Sequence, residues 1–531
     1  MIFSSGEILA TILLTPLVGA VVLLFLPSVR ADLHLRVANG FAALDVLASL
    51  TLLWRFHTAG DVSRFQFVSD HAWIPSLGIR FTLGLDGISL VMVMLTTVLG
   101  AIAIASTWRS IRQRGSHYYA LMLLLQTGLL GIFLSLDLVL FYVFWELTLV
   151  AMYFLIAIWG GERRAYTALK FLLYTLTGSV VMLLAILAIG HARGTFDIRE
   201  ILVHPIAQWH LEKWVFWGFF FAFAIVVPMF PFHTWMPDVH REAPAAVSAI
   251  LAGLLLNAGA YGFLRISVPM LPDAANKYRS FMIVLSLIAI VYGALASLMQ
   301  KDMKRLIAYS SFSQMGFCTL GIFALTPLGL EGGVIQQISC GISMAALFLL
   351  AGIVYERRRT TTIAELGGLA SVMPKFAAIY IVMTLAALGM PLLCGFTGEF
   401  TVLRGIIQVH WAWAACALIG VVVTAASLLW LYQRVMFAGA SGAMQSETGG
   451  AADMNRAELA CLIPMVLLAF WIGLYPGPLF RVLDAPVKRI VATVNPAYSQ
   501  ETAPAGVTMR TLAAPPSPAQ QPVAAPPAGA K

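Results

Sequence analysis

The stretch Ile225-Val226-Val227-Pro228-Met229-Phe230-Pro231-Phe232-His233-Thr234-Trp235-Met236-Pro237 sets three prolines into an apolar run, and Gly389-Met390-Pro391-Leu392-Leu393-Cys394-Gly395-Phe396-Thr397-Gly398-Glu399 clusters helix breakers again, one proline and three glycines. Proline removes a backbone donor and clashes with the turn before it, so each stretch reads as a helix broken in its middle. Freed backbone groups survive in hydrocarbon only where protein or a wet cavity satisfies them. Two interrupted helices five spans apart are the pattern of a transporter with an internal repeat and a pathway between its halves. Two packing kinks are the plainer alternative, since proline is frequent in membrane helices.

The surrounding chain supports a membrane setting. Of 531 residues, 60% are hydrophobic and 11% charged, with a mean hydropathy of +0.87. Soluble domains carry about 25% charge, so a row of soluble domains is excluded. A nucleic-acid binder is excluded too, because the net charge of +8 is spread over short loops. So is a disulfide-stapled secreted domain: Cys318, Cys340, Cys394, Cys416 and Cys461 lie in apolar stretches without paired spacing. No cleavable signal is visible, and the first apolar run is long enough to span.

Apolar runs near 6–27, 33–54, 85–106, 117–135, 137–158, 165–190, 213–232, 245–268, 280–299, 304–325, 333–355, 375–400, 408–436 and 457–474 give fourteen expected spans. With the N-terminus outside, inner connections collect 17 cations against 10 in the outer ones. That bias predicts both termini on the periplasmic-type side. Residues 56–84 alternate polar and apolar and hold Pro75 and Gly78, which predicts an external hairpin. From Ala503 to Lys531, 16 of 29 residues are Ala or Pro, a composition that cannot bury a core and predicts a disordered tail.

Ionisable groups inside a bilayer are costly and face a cavity or a partner. Glu146, in Trp145-Glu146-Leu147, is the clearest candidate; Glu399 sits at the second break, and Lys170 lies in the first turns of its span, where it can snorkel outward. Asn257 is polar and uncharged. A carboxyl that merely joins neighbouring helices is the structural alternative for Glu146. No phosphate loop, dinucleotide fingerprint or paired metal spacing occurs, and His233 and His240 read as loop residues rather than metal ligands.

At these segments the chain resembles the antiporter-like membrane subunits of respiratory complex I, of the subunit M type. The resemblance runs through Leu85-Asp86-Gly87-Ile88-Ser89, Trp145-Glu146-Leu147, Tyr166-Thr167-Ala168-Leu169-Lys170-Phe171, the first broken stretch through Asp238 and His240, Gln300-Lys301-Asp302-Met303-Lys304-Arg305, and Gly395-Phe396-Thr397-Gly398-Glu399-Phe400. It implies an all-α polytopic membrane protein of about 14 transmembrane helices, with two inverted five-helix repeats and two broken helices. The implied division is 1–116 for the first three helices and the hairpin, 117–270 and 280–436 for the repeats, 437–500 for the last helix and its flank, and 501–531 for the tail. It further implies a place in a bacterial-type inner membrane, among the other membrane-arm subunits and lipid, with no nucleic acid. No cofactor is expected in this chain. NADH, FMN, iron–sulfur clusters and quinone belong to partner subunits, and quinone is reached only through the assembly.

The resemblance also implies a charge relay: a glutamate on the fifth span, lysines on the seventh and eighth, a histidine on the eleventh and an ionisable group on the twelfth. Glu146 and Glu399 match its ends. The lysine positions read Val226 and Asn257, the eleventh-span histidine reads Cys340, and a tenth-span histidine reads Gln314. Lys170, Asn257, Gln314 and Cys340 therefore stand with the two glutamates as candidate proton-translocation residues. Four losses on one axis favour a copy that fills the membrane arm and conducts little. The competing mechanism is conduction through water held by Asn257, Gln314 and Glu399. Outside complex I, an Mrp-like or standalone cation/proton antiporter and a membrane subunit of a hydrogenase-type or inorganic-carbon uptake complex remain as alternatives.

Overall fold

The computed structural model describes residues 7–27, 31–58, 65–108, 111, 113–206, 209–437 and 452–496. The expected tail, 501–531, lies outside them, as do residues 28–30, 59–64, 109–110, 112, 207–208 and 438–451 in the connections.

The chain begins with α1 (Glu7–Phe25) and α2 (Ala31–Arg55), then an antiparallel hairpin of β1 (Gln66–Ile74) and β2 (Ile79–Leu85) where the external hairpin is expected. Arg80 and Arg199 pair with Asp70 at 2.7 and 2.8 Å and fasten the hairpin to the short helix Ile198–Val203. Burial opposes the Asp70 charge, but hydrogen bonds from Arg80, Arg199 and Thr82 outweigh it and hold the carboxyl at about 2. The first half continues with α3 (Gly87–Ser106), α4 (Gly115–Leu134), α5 (Leu138–Trp159), α6 (Arg164–Arg193), α7 (Ile198–Val203), α8 (Trp209–Val226) and α9 (Met236–Glu242). Next, α10 (Ala245–Ile250), α11 (Leu256–Gly262) and α12 (Val268–Met270) form one helix with two π-wound joints, Leu251–Leu255 and Phe263–Ser267. The second half holds α13 (Pro272–Leu298), α14 (Met303–Phe323), α15 (Pro327–Arg358), the short α16 (Leu369–Val372), α17 (Pro374–Ala387), α18 (Cys394–Ile407) and α19 (Trp411–Phe437). Then come α20 (Arg456–Leu474) and α21 (Gly477–Val494).

Side-chain caps explain where several helices start. Asp86 accepts from Ser89 N, Asp137 from Val139 N and Leu140 N, Asp302 from Arg305 N and Thr326 from Gly329 N. Each satisfies amides that have no partner within the helix. Among the described residues, twelve helices are long and apolar enough to cross a membrane. The two expected spans missing from that set, 213–232 and 375–400, are the interrupted ones. The helix from Ala245 to Met270, α14 and α15 form the buried centre, while α1, α2, α6, α19 and α20 turn apolar faces outward.

The two breaks share a hydrogen-bond pattern. At the first, Val227 N bonds Phe223 O, Met229 N bonds Ala224 O and Phe232 N bonds Met229 O, at 2.8, 2.7 and 2.7 Å. At the second, Leu388 N bonds Thr384 O, Met390 N bonds Leu385 O and Leu393 N bonds Met390 O, at 3.0, 3.0 and 3.2 Å. A second matched pair joins helix starts to later loops. Leu138 N bonds Phe196 O and Ile198 N bonds Leu136 O; Met303 N bonds Thr361 O and Ile363 N bonds Lys301 O.

Candidate functional site

Four of the candidates gather into one buried polar row between the Ala245–Met270 helix and the second half. Asn257 lies on α11 between the two π-wound joints, where one extra residue per turn redirects the side chains that follow. Its Nδ2 donates to Gly253 O at 2.8 Å and to Gln337 O on α15 at 2.9 Å, while its Oδ1 has no partner. The Gln337 carboxamide is buried and unpartnered at both ends, and the hydroxyls of Ser310 and Ser311 on α14 are likewise unpartnered. One turn along α15, Cys340 lies beside Ser311, Cys394 and Glu399. Gln314 on α14 donates from Nε2 to Ala387 O at the second break, 2.8 Å, and to Glu399 Oε1, 2.9 Å. Gln336 of α15 donates in turn to Gln314 Oε1. Gly389, at φ +77°, packs against the Glu399 carboxylate, and any side chain there would collide with it. The row is amides, hydroxyls, a thiol and one carboxyl.

The first half keeps its candidates apart. Glu146 lies beside Tyr142, which also reaches Ser179; its Oε1 has no hydrogen-bond partner. From its neighbour Trp145 the packing toward α12 is aromatic: Trp145 meets Phe223 at 5.5 Å between ring centres, and Phe223 meets Phe263 at 5.4 Å and Phe219 at 5.6 Å. Val226, one turn beyond Phe223, is buried among apolar neighbours. Lys170 does not snorkel free. Its Nζ donates to Thr234 O and to Asp238 Oδ2, both at 2.8 Å. Asp238 accepts a second cation through Oδ1, from Arg305 of α14 at 3.0 Å. This Lys170–Asp238–Arg305 hub joins α6, α9 and α14.

Sequence reasoning placed Asp238 only as a motif residue and missed the hub, because the cations that complete it lie on distant helices. Two of the 27 cations counted in the connections, Arg265 among the 10 outer ones and Lys304 among the 17 inner ones, are corrected by the structure, because neither lies in an open loop. Arg265 is buried within the joint Phe263–Ser267 and pairs with Asp86 at 2.5 Å, with Ser89 and Tyr261 completing the cluster. Lys304 is buried in the first turn of α14 and donates to Ala243 O at 2.9 Å. Long cations near the ends of apolar runs look exposed in a sequence, and only the packing shows which are covered. His233 stacks on Phe312 at 4.8 Å and His240 on Phe348 at 4.2 Å. Burial, and then nearby Lys304, push the His240 imidazole down to about 3. Among the described residues no group of three His, Cys, Asp or Glu side chains is placed to hold a metal.

Residues 135–424 match the family described as NADH:quinone oxidoreductase/Mrp antiporter, transmembrane. NADH-quinone oxidoreductase subunit M of Rhodobacter capsulatus is 41% identical over 502 residues, covering 91% of this chain and 96% of that protein. The subunit M of Rickettsia prowazekii is 38% identical, covering 91% of this chain and 98% of its own length. Among solved structures, a chain of respiratory complex I from Thermus thermophilus with bound NADH superposes with a TM-score of 0.83 at 31% identity, covering 92% of this chain and 99% of that one.

Proposed function

Because the chain belongs to the family of transmembrane subunits common to NADH:quinone oxidoreductases and Mrp antiporters, and is a multi-pass, subunit M type component of the complex I membrane arm, we propose that it is a copy whose own proton conduction is impaired or lost. The observation that carries this reading is the composition of its interior. From Trp145, the neighbour of Glu146, to the Ala245–Met270 helix the packing is aromatic, and the row from Asn257 to Glu399 holds amides where a relay needs groups that titrate. Amides, hydroxyls and buried thiols stabilise helix contacts but do not pass a charge by opening and closing ion pairs.

In this reading, complex I couples quinone reduction to proton translocation through its other subunits, and this chain bears no cofactor. NADH, FMN, iron–sulfur clusters and quinone lie in partners, and lipid surrounds the apolar faces. The domain division given above carries over, with fourteen crossings arranged as two inverted repeats. The matched hydrogen bonds at both breaks support that arrangement, as do the twelve long helices plus the two interrupted ones. Both termini then lie on the periplasmic-type side of a bacterial-type inner membrane. Removing buried Lys304 from the 17 inner cations and buried Arg265 from the 10 outer ones leaves 16 against 9, which keeps the bias.

A second reading, conduction along water, draws on the unpartnered atoms of Asn257, Gln337, Ser310 and Ser311. The test separating the two is the proton-to-electron ratio of the reconstituted complex, measured before and after Val226→Lys with Asn257→Lys. The first reading expects a reduced ratio that rises on restoration. A full ratio beforehand, unchanged by the lysines, overturns it. An antiporter or carbonic-anhydrase-like gene neighbourhood, in place of complex I subunits, would instead overturn the choice of assembly.

A further inference from the structure

Away from the row and the hub, the helices α1 to α4 enclose a second acid. Asp45 is the fifteenth of the 25 residues of α2, so at ~1.5 Å per residue it lies about 15–20 Å from either helix end, near the middle of the hydrocarbon. Its side chain is fully buried. One oxygen, Oδ2, meets the Gln126 carboxamide of α4 at 2.5 Å, and Oδ1 has no partner. The outer atom of that carboxamide, Oε1, is also buried without a partner. The pocket for it is shaped: Gln126 sits in a notch opposite Gly100 of α3, where any Cβ would run into Oε1. One turn beyond Asp45, Ser49 and Thr97 bond each other at 2.9 Å.

No cation faces this acid among the described residues. On the elements packed around it, α1 carries only Glu7 at its start, α3 has no ionisable side chain, and those of α4 are His117, Tyr118 and Tyr119, two turns or more from Gln126. On α2 itself Asp32, His34 and Arg36 stand near one end and Arg55 at the other. A carboxylate left ionised here would hold its charge in hydrocarbon with one oxygen unsatisfied and no cation facing it, which disfavours the charged form. Helix joining alone needs no acid, because an amide serves that purpose without the charge. A 2.5 Å separation is also short for an amide N–H donor and ordinary for a carboxylic O–H donating to a carbonyl, and the two ends of a carboxamide can exchange places.

We propose that Asp45, positioned by Gln126 and the Gly100 notch, is a proton-binding site in the membrane interior, separate from the row that ends at Glu399. The ligand is a single proton carried as the neutral acid, shared with the Gln126 carbonyl. The proposal rests on this four-helix layer alone and does not depend on whether the other row conducts.

Infrared difference spectra of the purified assembled complex at neutral pH test it. Wild type minus Asp45→Asn should show one protonated-carboxyl C=O band that moves on exchange into heavy water and is lost in the variant. Asp45→Glu should keep the band at a shifted frequency. Gly100→Ala, which pushes Gln126 off the acid, should shift the band without removing it. Superimposable spectra of wild type and Asp45→Asn overturn the proposal. A band that disappears when sodium replaces choline at constant pH also overturns it, in favour of a metal-cation site. Should Asp45→Asn fail to assemble, Asp45→Glu decides: a band identical to wild type overturns the proposal.

Discussion

Asp238 and Glu399 stand at equivalent places after the two breaks, each nine residues beyond the methionine whose amide closes the broken turn. The molecule treats them in opposite ways. Asp238, with 28% of its side chain exposed, holds Lys170 and Arg305 at once and ties three helices together. Glu399 is almost wholly buried and receives a single amide, from Gln314. The neighbourhoods differ in kind as well. Two residues past Asp238 lies a stacked, buried His240 that faces the Lys304 ammonium; two residues past Glu399, Thr401 turns back on its own helix to Thr397 O. The same backbone device therefore carries fixed charge in one half and neutral hydrogen bonding in the other. A carboxylate clamped between two cations gives the fold strength at the cost of proton mobility, and a carboxyl facing amides and a thiol has no charged partner to exchange with.

The largest way to break this contrast is acid, which acts through His240, two residues past the first carboxylate. His240 is neutral in the folded protein down to about 3, whereas an unfolded histidine takes up its proton near 6.5. Between those values the unfolded state binds more protons, so stability is full above 6.5 and falls as pH drops toward 3. The limit is on the order of 4–5 kcal/mol at ~1.36 kcal/mol per pH unit. Thermal dissociation of the subunit from the purified complex, followed across that window, reads the loss. His240→Phe keeps the stack on Phe348 and should flatten the acid limb; an unchanged limb would mean that other groups carry it.

Next in size is the hub. Asp238→Ala strands Lys170 and Arg305, and because the site is partly open the cost should be about 1–3 kcal/mol, below that of a fully buried pair. A double-mutant cycle with Lys170→Met should show positive coupling in the same dissociation assay. If Asp238→Ala lowers the proton-to-electron ratio while leaving thermal stability untouched, the hub is a conducting element and the contrast fails.

The breaks, the membrane setting and the hairpin were legible in the sequence because proline, glycine and alternation act locally. The relay departures were legible because each falls inside a motif whose neighbours are intact, as Cys340 does between Ser339 and Gly341. The partners were not. Asp238 finds Lys170 and Arg305 at 68 and 67 residues' separation, and no local pattern announces a pairing of that range. The π-wound joints around Asn257 occur in an apolar run whose composition equally suits an ordinary helix. Asp45 is a different lesson. An acid in the middle of an expected span is a visible signal, and among the spans it was overshadowed by residues that a familiar motif had already marked.

Asn257 probes the central row at smaller scale. Asn257→Leu removes the donors to Gly253 O and Gln337 O, the second of which ties this helix to α15. The expected loss is about 1–2 kcal/mol, read as earlier dissociation of the subunit in urea. Asn257→Gln, with its longer arm beside Gly341, should recover part of it; full recovery by an apolar residue would show that the contact contributes nothing.

The smallest expected effect is the sharpest test of what the second carboxyl is for. Glu399→Gln preserves volume, and its amide carbonyl still accepts from Gln314 Nε2, so stability should change by less than about 1 kcal/mol. In the impaired reading the proton-to-electron ratio of the complex is unchanged as well, since no titrating group leads to this position from Asn257. The same substitution in a working relay would remove its terminal proton carrier and lower the ratio. A lowered ratio with intact assembly would then reassign the halves: Asp238 would still hold the fold together, and Glu399, despite its amide surroundings, would be where protons leave.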